Sequence, residues 1–252
     1  MAPSASHFLG TDQLGRDLFS RIIFGARISM YVGLGGAFLC TAIATFLGLS
    51  AFFHGKLDLI VQRFVDAVMC FPAIFMYMSV MCLIGQGMLK VIIVLGLVRG
   101  IHQSRVMRGA VIAIKENVYI DAAKAVGCSV FRILIRHILP NILAPAITVF
   151  VVSCGYLILA EATLSFLGFG IPPPIPSWGG MLSRGGRQFM EIAPWMAIWP
   201  GLALGLAVYG LNMLGDAFRD LLDPKLKGGV GRYGSRKAEK IRESKNTQTN
   251  PN

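Results

Sequence analysis

Long runs of apolar residues without a charge constrain this chain more than any other feature. Residues 28–53 form 26 consecutive positions with no acidic or basic side chain. About 20 apolar residues are enough for a helix to cross a bilayer. Because hydrocarbon offers the backbone no hydrogen-bond partners, such a run is accommodated by forming a helix. We therefore predict an all-α membrane protein.

Composition and charge placement support a membrane location. The chain is 54% hydrophobic and 15% charged, with a mean hydropathy of +0.62. A net charge of +11 is compatible with nucleic-acid binding, but the basic residues lie between and after the apolar runs, as membrane topology produces. We expect contact with membrane lipid and none with nucleic acid. The five cysteines include no C-x-x-C pair and indicate apolar packing, with no metal site.

The apolar runs predict five transmembrane helices. Pro72 is expected to kink the second, and Pro200 with Gly201 to interrupt the fifth. The third carries arginines in its second half, which are costly in lipid, so we expect it to leave the bilayer early. The predicted spans are 28–53, 67–84, Met88 to about 114, 138–160 and 192–215.

The distribution of Lys and Arg predicts the orientation. Eighteen of the 24 lie in residues 54–66, 99–136 and 217–252, which a five-span topology puts on one side. The positive-inside rule makes that side cytoplasmic. We therefore predict an extracytoplasmic segment 1–27, a transmembrane domain 28–216 and a basic cytoplasmic tail 217–252. The tail is expected to be disordered after about 228.

Residues 117–141 are the most polar interior stretch and predict two short helices joined by an elbow. Asn117 is placed to cap the first helix and Ser129 the second. Gly127 can adopt the left-handed conformation that ends the first helix. Pro140 limits the second. A membrane-surface amphipathic helix is the simpler alternative.

Within this elbow, the small and exposed Ala-Ala step suits docking against another protein. The stretch resembles the "EAA" loop of ABC importer permeases, whose pattern is E-A-A-x(3)-G-x(9)-I-x-L-P. Asp and His replace the family's Glu and Ile, which are mild changes. The resemblance implies a type I ABC importer transmembrane fold with a cytoplasmic coupling helix that docks into an ATPase. The residues that carry it are Asp121, Ala122, Ala123, Gly127, His137, Leu139 and Pro140.

Two further phrases narrow the resemblance to dipeptide, oligopeptide and nickel permeases of the C type. They are G-T-D-Q-L-G-R-D-L-F-S-R-I-I-F-G-A-R from Gly10, and L-G-D-A-F-R-D-L-L-D-P-K-L-K from Leu214. The similarity extends over residues 7–227. Such permeases have six spans, one more than predicted here. Either the true start lies upstream, or the first helix has been lost.

This resemblance implies one permease subunit of an ATP-driven importer. The expected substrates are di- or oligopeptides, with nickel or a metal chelate as the alternative. The expected partners are a second permease subunit, two ABC ATPase subunits and an extracytoplasmic substrate-binding protein. The expected location is the cytoplasmic membrane of a bacterium or archaeon.

The chain shows no sequence signature of catalysis. It lacks a G-x-x-x-x-G-K-[ST] phosphate loop and any nucleophile–base pattern. We therefore expect it not to be an enzyme and to hold no cofactor, with ATP and Mg bound by partner ATPases.

Glu161, at the end of an uncharged run, is a candidate for the transport pathway or its gate. An equally weighted alternative is a surface carboxylate bonded to backbone or to Arg. A secondary transporter could also use an intramembrane Glu. It would need internal repeats, and no convincing repeat relates the two halves of the chain.

Overall fold

The computed structural model describes residues 1–53 and 55–222, and these form helices with no β-strand. This confirms the all-α prediction. Two π-helical turns occur, at Leu134–Ile138 and Leu182–Gly186. The α-helices are α1 Leu18–Gly48 (extended by a 3-10 turn, Leu49–Phe52), α2 Lys56–Met69, α3 Ala73–Ile84, α4 Met88–Lys115, α5 Val118–Ala125, α6 Val130–Ile133, α7 Leu139–Asn141, α8 Leu143–Phe166, α9 Trp178–Met181 and α10 Trp195–Leu222.

The first helix begins ten residues before the uncharged run. Asp17 caps it, with Oδ2 accepting a hydrogen bond from the Ser20 backbone N–H at 2.8 Å. Arg21 and Arg27 therefore lie inside α1, although the sequence placed them in a separate segment. A local cap decided where the helix starts, while the uncharged run marks only its most apolar part.

The second predicted span is divided into two helices. Helices α2 and α3 meet at 87°, so residues around Pro72 separate them where the sequence predicted only a kink. Pro72 immediately precedes α3 in an extended conformation, which it favours because its ring fixes φ. Conversely, α10 runs through Pro200 without the predicted interruption. Pro200 is only the sixth residue of that helix, so it removes one hydrogen bond close to the helix start.

Three helices are long and apolar enough to cross a membrane: α1 with its 3-10 extension, α8 and α10. The bent pair α2–α3 makes a fourth if it counts as one span. Helix α4 begins at Met88 as predicted and continues for 28 residues, but its charged residues keep it out of that group. The five predicted spans therefore correspond to three clear spans, one broken span and one charged helix.

Close backbone contact joins α1 to α4. A side chain at Gly96 would lie 2.9 Å from the Gly36 carbonyl oxygen, and one at Gly48 would lie 2.9 Å from the Arg108 backbone nitrogen. Contacts therefore advance along both helices in the same direction, so α1 and α4 are parallel. Small residues allow this approach between membrane helices, as the glycines of residues 28–53 predicted.

Helix α8 packs antiparallel to α1, and α10 antiparallel to α8. A side chain at Gly33 would lie 2.8 Å from Ile158 Cγ1, and the Cys40 thiol donates a hydrogen bond to Ser153 Oγ at 3.6 Å. Gly155 and Gly215 contact α10 and α8 respectively. The residue 117–141 elbow, the α1–α2 link and the end of α10 consequently share one end of the bundle. The charge pattern predicted this grouping, and which end faces the cytoplasm stays a prediction.

The predicted tail lies mostly outside the described residues, including its disorder after 228. Residues 217–222, assigned to the tail by sequence, are the last residues of α10.

We predict opposite effects of two glycine substitutions within α4. Gly100→Ala places a Cβ 2.8 Å from Ile43 Cβ and 2.9 Å from the Cys40 carbonyl oxygen, so it should destabilise the bundle by about 1–3 kcal/mol. Gly109→Ala meets no atom within 4 Å and should be neutral or stabilising by up to ~1 kcal/mol. Thermal unfolding in detergent checks both. Equal stability of the two variants would contradict backbone contact between α1 and α4.

Candidate functional site

Buried isoleucines attach the elbow to one end of the bundle. Ile120 in α5 and Ile133, Ile138 and Ile142 in the second arm are at most 1% exposed. They pack with Ala44, Phe52, Met107, Val111 and Val149 from α1, α4 and α8. Burying a branched side chain of this kind contributes about 1.5–3 kcal/mol. The elbow is therefore a fixed part of the bundle.

Gly127 sets the angle between the two arms. Its φ is +81°, the left-handed conformation predicted for it. The Gly127 N–H donates to the Lys124 carbonyl at 2.9 Å, and the Cys128 N–H donates to the Ala123 carbonyl at 3.0 Å. These two bonds form a Schellman motif, which satisfies the last carbonyls of α5. Nothing lies within 4 Å of a Cβ at this position, so its requirement for glycine is conformational.

The two predicted caps have different outcomes. Ser129 caps α6 as predicted, because its Oγ accepts from the Arg132 N–H at 3.4 Å. Asn117 precedes α5, but its side chain does not cap it. Instead, its Nδ2 donates to the carbonyls of Ala113 and Ile114 at 2.9 and 3.0 Å. Asn117 thus supplies hydrogen-bond donors to two carbonyl groups at the end of α4 and stabilises the corner between α4 and α5.

The second arm contains a widened turn before Pro140. Residues Leu134–Ile138 are π-helical, and the ring of Pro140 would clash with the carbonyl four residues earlier in a regular helix. Asn141 Nδ2 donates to the His137 carbonyl at 2.6 Å. The His137 ring lies beside Tyr119 of the first arm, with centroids 6.2 Å apart. His137 and Pro140 therefore shape the arm, while Leu139 and Pro140 also remain exposed.

Apolar side chains cover the outer face of the elbow. Val118, Ala122 and Val126 follow one another at four-residue spacing on α5, and both valines are 84% exposed. Phe131 and Ile135 extend this face onto the second arm. We call these five residues the elbow surface. An exposed patch this apolar on a fixed element is typical of an interaction site.

The Ala-Ala step is only half exposed. Ala122 belongs to the elbow surface, whereas Ala123 packs into the buried cluster with Ile120 and Cys128. The helical period explains this, because positions three apart share a face, so Ala123 lies on the side of Ile120. The sequence predicted that both alanines would be exposed, which is wrong for Ala123. Asp121 is exposed and pairs with Lys124 at 2.9 Å.

Ion pairs fix α2 beside the elbow end of α4. Arg108 Nη2 donates to Asp58 Oδ2 at 2.6 Å, and Arg105 donates to Asp66. The two carboxylates lie about 12 Å apart along α2, but the arginines are only about 4.5 Å apart along α4. Two ion pairs therefore hold α2 against α4. Arg105 and Arg108, which the sequence marked as costly in lipid, are paired.

Glu161 lies at the opposite end of the bundle, in the last part of α8. Its side chain is 0% exposed. Oε1 accepts a hydrogen bond from Ser165 Oγ at 2.6 Å, and Ser165 Oγ also accepts from the Ile171 N–H at 3.3 Å. Oε2 is buried near Ser177 and has no hydrogen bond of normal geometry among the described residues. The surface-carboxylate alternative is wrong, because Glu161 is enclosed beneath the loop that follows α8, whereas a role in the pathway or its gate stays a prediction.

Sequence reasoning assigned no chemistry to the Gly10–Arg27 phrase, and the structure shows a structural role for it. The Trp195 Nε1–H donates to the Thr11 carbonyl at 3.3 Å, and the Trp178 Nε1–H donates to the Ile22 carbonyl at 3.0 Å. Residues 7–17 thereby attach to the segment 168–196 beside α8 and α10. We call this arrangement the outer clasp, because the sequence predicts that residues 1–27 are extracytoplasmic. The sequence indicates only a membrane-interface position for Trp178.

Asp12 organises the turn in the outer clasp. Its Oδ1 accepts from the Leu14 and Arg16 backbone N–H groups at 2.9 Å each, and its Oδ2 from Arg16 Nε at 2.7 Å. Burial alone raises the pKa of Asp12, but the hydrogen bonds and the Arg16 charge together hold the pKa below the ordinary 3.8. The ionised form therefore stabilises the fold.

Comparison with known proteins identifies the family. Residues 40–228 match the family described as "Binding-protein-dependent transport system inner membrane component". The chain belongs to this family. It is 42% identical over 226 residues to the dipeptide transport system permease protein DppC of Alkalihalophilus pseudofirmus, an alignment that covers 89% of this chain and 74% of that protein. It is equally similar to the glutathione transport system permease protein GsiD of Pectobacterium atrosepticum, at 42% identity over 89% of this chain and 75% of that one.

A solved structure supports the fold of this permease family member. The methionine ABC transporter MetNI, in an inward-facing conformation, matches 82% of this chain and 98% of its own chain. The TM-score is 0.66 at 16% sequence identity. The likeness shows the type I importer transmembrane fold that the sequence predicted.

Substitutions of the two neighbouring alanines should distinguish the exposed side of α5 from the side that packs against the bundle. Ala123→Glu places a carboxylate against the buried cluster and should destabilise the fold by several kcal/mol. Ala122→Glu points into solvent and should change stability by less than about 0.5 kcal/mol. Thermal unfolding of the purified permease measures both. A large loss of stability in Ala122→Glu would show that the exposed face is wrongly identified.

The outer clasp should loosen in acid. Because the pKa of Asp12 is lower in the folded chain, its contribution is complete above the unfolded pKa near 3.8 and is lost as pH falls through the folded value. The protection factors of the Leu14 and Arg16 amides against hydrogen exchange should fall over that interval. Asp12→Asn should exchange quickly at neutral pH and show a weaker dependence on pH. Unchanged protection in Asp12→Asn would remove Asp12 from this role.

Proposed function

We propose that this chain is one permease subunit of an ATP-driven ABC importer for di- or oligopeptides. The relatives named above are permeases of dipeptide and glutathione transport systems, and they align with nearly nine-tenths of this chain. The observation that carries the proposal is the elbow surface, an exposed apolar patch on a fixed corner of the bundle. A permease needs such a patch to receive movement from a separate ATPase.

The elbow is built to transmit force. Its outward side presents Val118, Ala122, Val126, Phe131 and Ile135, while its inward side is attached by buried isoleucines to α1, α4 and α8. A push on the outer side therefore moves three helices together. Packed cores are bistable and respond as rigid bodies. We propose that closure of two partner ATPases around ATP and Mg moves this elbow and that of a second permease subunit.

The elbow end of the bundle is cytoplasmic in this proposal. That end holds residues 55–66, 105–136 and the end of α10. The basic residues are concentrated in these segments and the tail. The outer clasp then faces the other side of the cytoplasmic membrane, where an extracytoplasmic binding protein delivers substrate. The permease itself carries no catalytic group in this scheme.

Glu161 belongs to the outer gate in this proposal. Through Ser165 it connects α8 to the backbone of Ile171 in the outer loop. Movement of α8 would therefore carry that loop with it. This is a positioning role, because the carboxylate is enclosed and has no access to a passing substrate.

Substitutions on the elbow surface should uncouple the importer. Ala122→Glu should reduce co-purification of the ATPase and lower peptide uptake at least tenfold, because a desolvated charge without a partner costs several kcal/mol. Glu116→Gln, at the exposed corner before α5, is the matched control, since an exposed charge contributes little, and should keep most uptake. Uptake of a labelled dipeptide into vesicles gives the measurement, with labelled Ni²⁺ in parallel. Full ATPase binding by Ala122→Glu would contradict the coupling role of the elbow surface. If the vesicles take up Ni²⁺ but not the dipeptide, the assigned substrate becomes nickel.

Glu161→Gln should lower uptake several-fold without preventing assembly. Glutamine retains an acceptor for Ser165, but it introduces an amide where Oε2 is enclosed. Phe166→Leu, at a nearby exposed position on the same helix, serves as the control. Normal uptake by Glu161→Gln in an intact complex would show that the carboxylate has no part in the gate.

A further inference from the structure

Arg99 is a charged residue in the middle of the bundle that the coupling mechanism does not use. It lies eleven positions after the start of α4, about 16 Å along the helix, and the hydrocarbon core is only about 30 Å thick. Its side chain is partly buried. None of the ion pairs within residues 1–53 and 55–222 includes Arg99. Its Nε is buried and has no hydrogen-bond partner there.

The contact that Arg99 does make is aromatic. Its guanidinium carbon lies 3.9 Å from the centre of the Tyr156 ring on α8. Such a cation–π contact orients the guanidinium and stabilises it, but it leaves the charge uncompensated. Tyr77 of α3 is 1% exposed, and its hydroxyl lies close to Tyr156. Three helices thus place one cation and two aromatic rings together.

Both tyrosines open onto a pocket on the outside of this chain's bundle. The pocket has a volume of about 210 Å³ and is lined by Ile74, Tyr77, Tyr156, Leu159, Ala160 and Thr163. Arg99 does not line the pocket and is connected to it through its contact with the Tyr156 ring. A cation at this depth is tolerated when it faces protein or a water-filled cavity, and rarely when it faces lipid. Arg99 faces protein in this chain, because its guanidinium lies over the Tyr156 ring.

We propose that Arg99, with Tyr156 and Tyr77, forms a transient anion site for the carboxylate of the transported substrate. The identity of the ligand rests on the proposed importer function. A free peptide carries a carboxylate at its C-terminus. The positive charge of the Arg99 guanidinium, which no carboxylate of the described residues balances, attracts that group toward the Tyr156 ring in the middle of the bundle.

The electrostatic part can be measured without transport. Leu159 lines the pocket and is 49% exposed, so Leu159→Cys places a thiol there. The assembled complex is prepared with Cys70, Cys82 and Cys128 replaced by serine. The reaction rate of the Leu159→Cys thiol is then measured with two reagents, the anionic 2-sulfonatoethyl methanethiosulfonate and the cationic 2-(trimethylammonium)ethyl methanethiosulfonate. The fixed positive charge of Arg99 should raise the rate of the anionic reagent over that of the cationic reagent by about tenfold, after each rate is divided by the rate of the same reagent with a free thiol. Adding Arg99→Gln should abolish that preference, and Arg99→Lys should restore most of it.

A second thiol provides the matched control. Leu143 lies at the elbow end of α8 and is 53% exposed, about 24 Å from Leu159 along the helix. The reagent preference of Leu143→Cys should not respond to Arg99→Gln. The proposal is overturned if the preference at Leu159→Cys survives Arg99→Gln. It is also overturned if that thiol reacts only with membrane-soluble N-ethylmaleimide, or with none of the reagents, because the pocket is then covered by lipid or protein.

Uptake then tests the carboxylate. Proteoliposomes containing the complete importer are given alanyl-alanine or its C-terminal amide, with the same binding protein throughout. Arg99→Gln should lower uptake of the free acid several-fold and reduce the preference for acid over amide, while ATPase co-purification is unchanged. An equal loss for both peptides would assign Arg99 a structural role and overturn the proposal. If the wild-type complex imports neither peptide, the importer function fails, and the thiol measurement still decides whether an anion site exists.

Discussion

The contact between the backbones of α1 and α4 supports the rest of the structure. Glycines on both helices bring Gly36 against Gly96 and Gly48 against Met107 and Arg108. Lipid tails are as apolar as leucine, so membrane helices gain little by hiding apolar surface from lipid and depend on close packing instead. The parallel pair forms one rigid unit. Helix α8 then packs antiparallel against α1, and the elbow continues directly from the end of α4.

This unit connects the two ends of the permease. At one end, the elbow is attached to α1, α4 and α8 by buried isoleucines, and the Gly127 turn sets its angle. At the other end, Glu161 and Ser165 join α8 to the loop beneath the outer clasp. Helix α8 takes part at both ends and carries Tyr156 in between. A single rigid movement of α8 would therefore act on the elbow, the pocket beside Arg99 and the outer loop together.

The arginines of α4 have two kinds of partner. Arg105 and Arg108 are paired with carboxylates of α2, so their function is to hold that helix across α4. Arg99 has an aromatic contact but no ion pair within the described part of the chain. Residues of the same type on one helix therefore have different roles, which depend on what the neighbouring helices supply. Spacing along α4 contains no information about which arginine lies opposite Asp58 or Asp66.

The sequence by itself determined the class of fold, the family and the local form of the elbow. Long apolar runs require helices, and Gly127 was recognisable because a helix end with φ near +80° favours glycine so strongly. The tertiary structure alone decided which alanine is exposed, since Ala123 is partly covered only because it packs against the buried cluster that includes residues of α1 and α4. It also decided that Pro72 separates two helices whereas Pro200 does not interrupt α10. Local propensity describes one segment at a time, whereas burial, ion pairing and the enclosure of Glu161 depend on segments far apart in the chain.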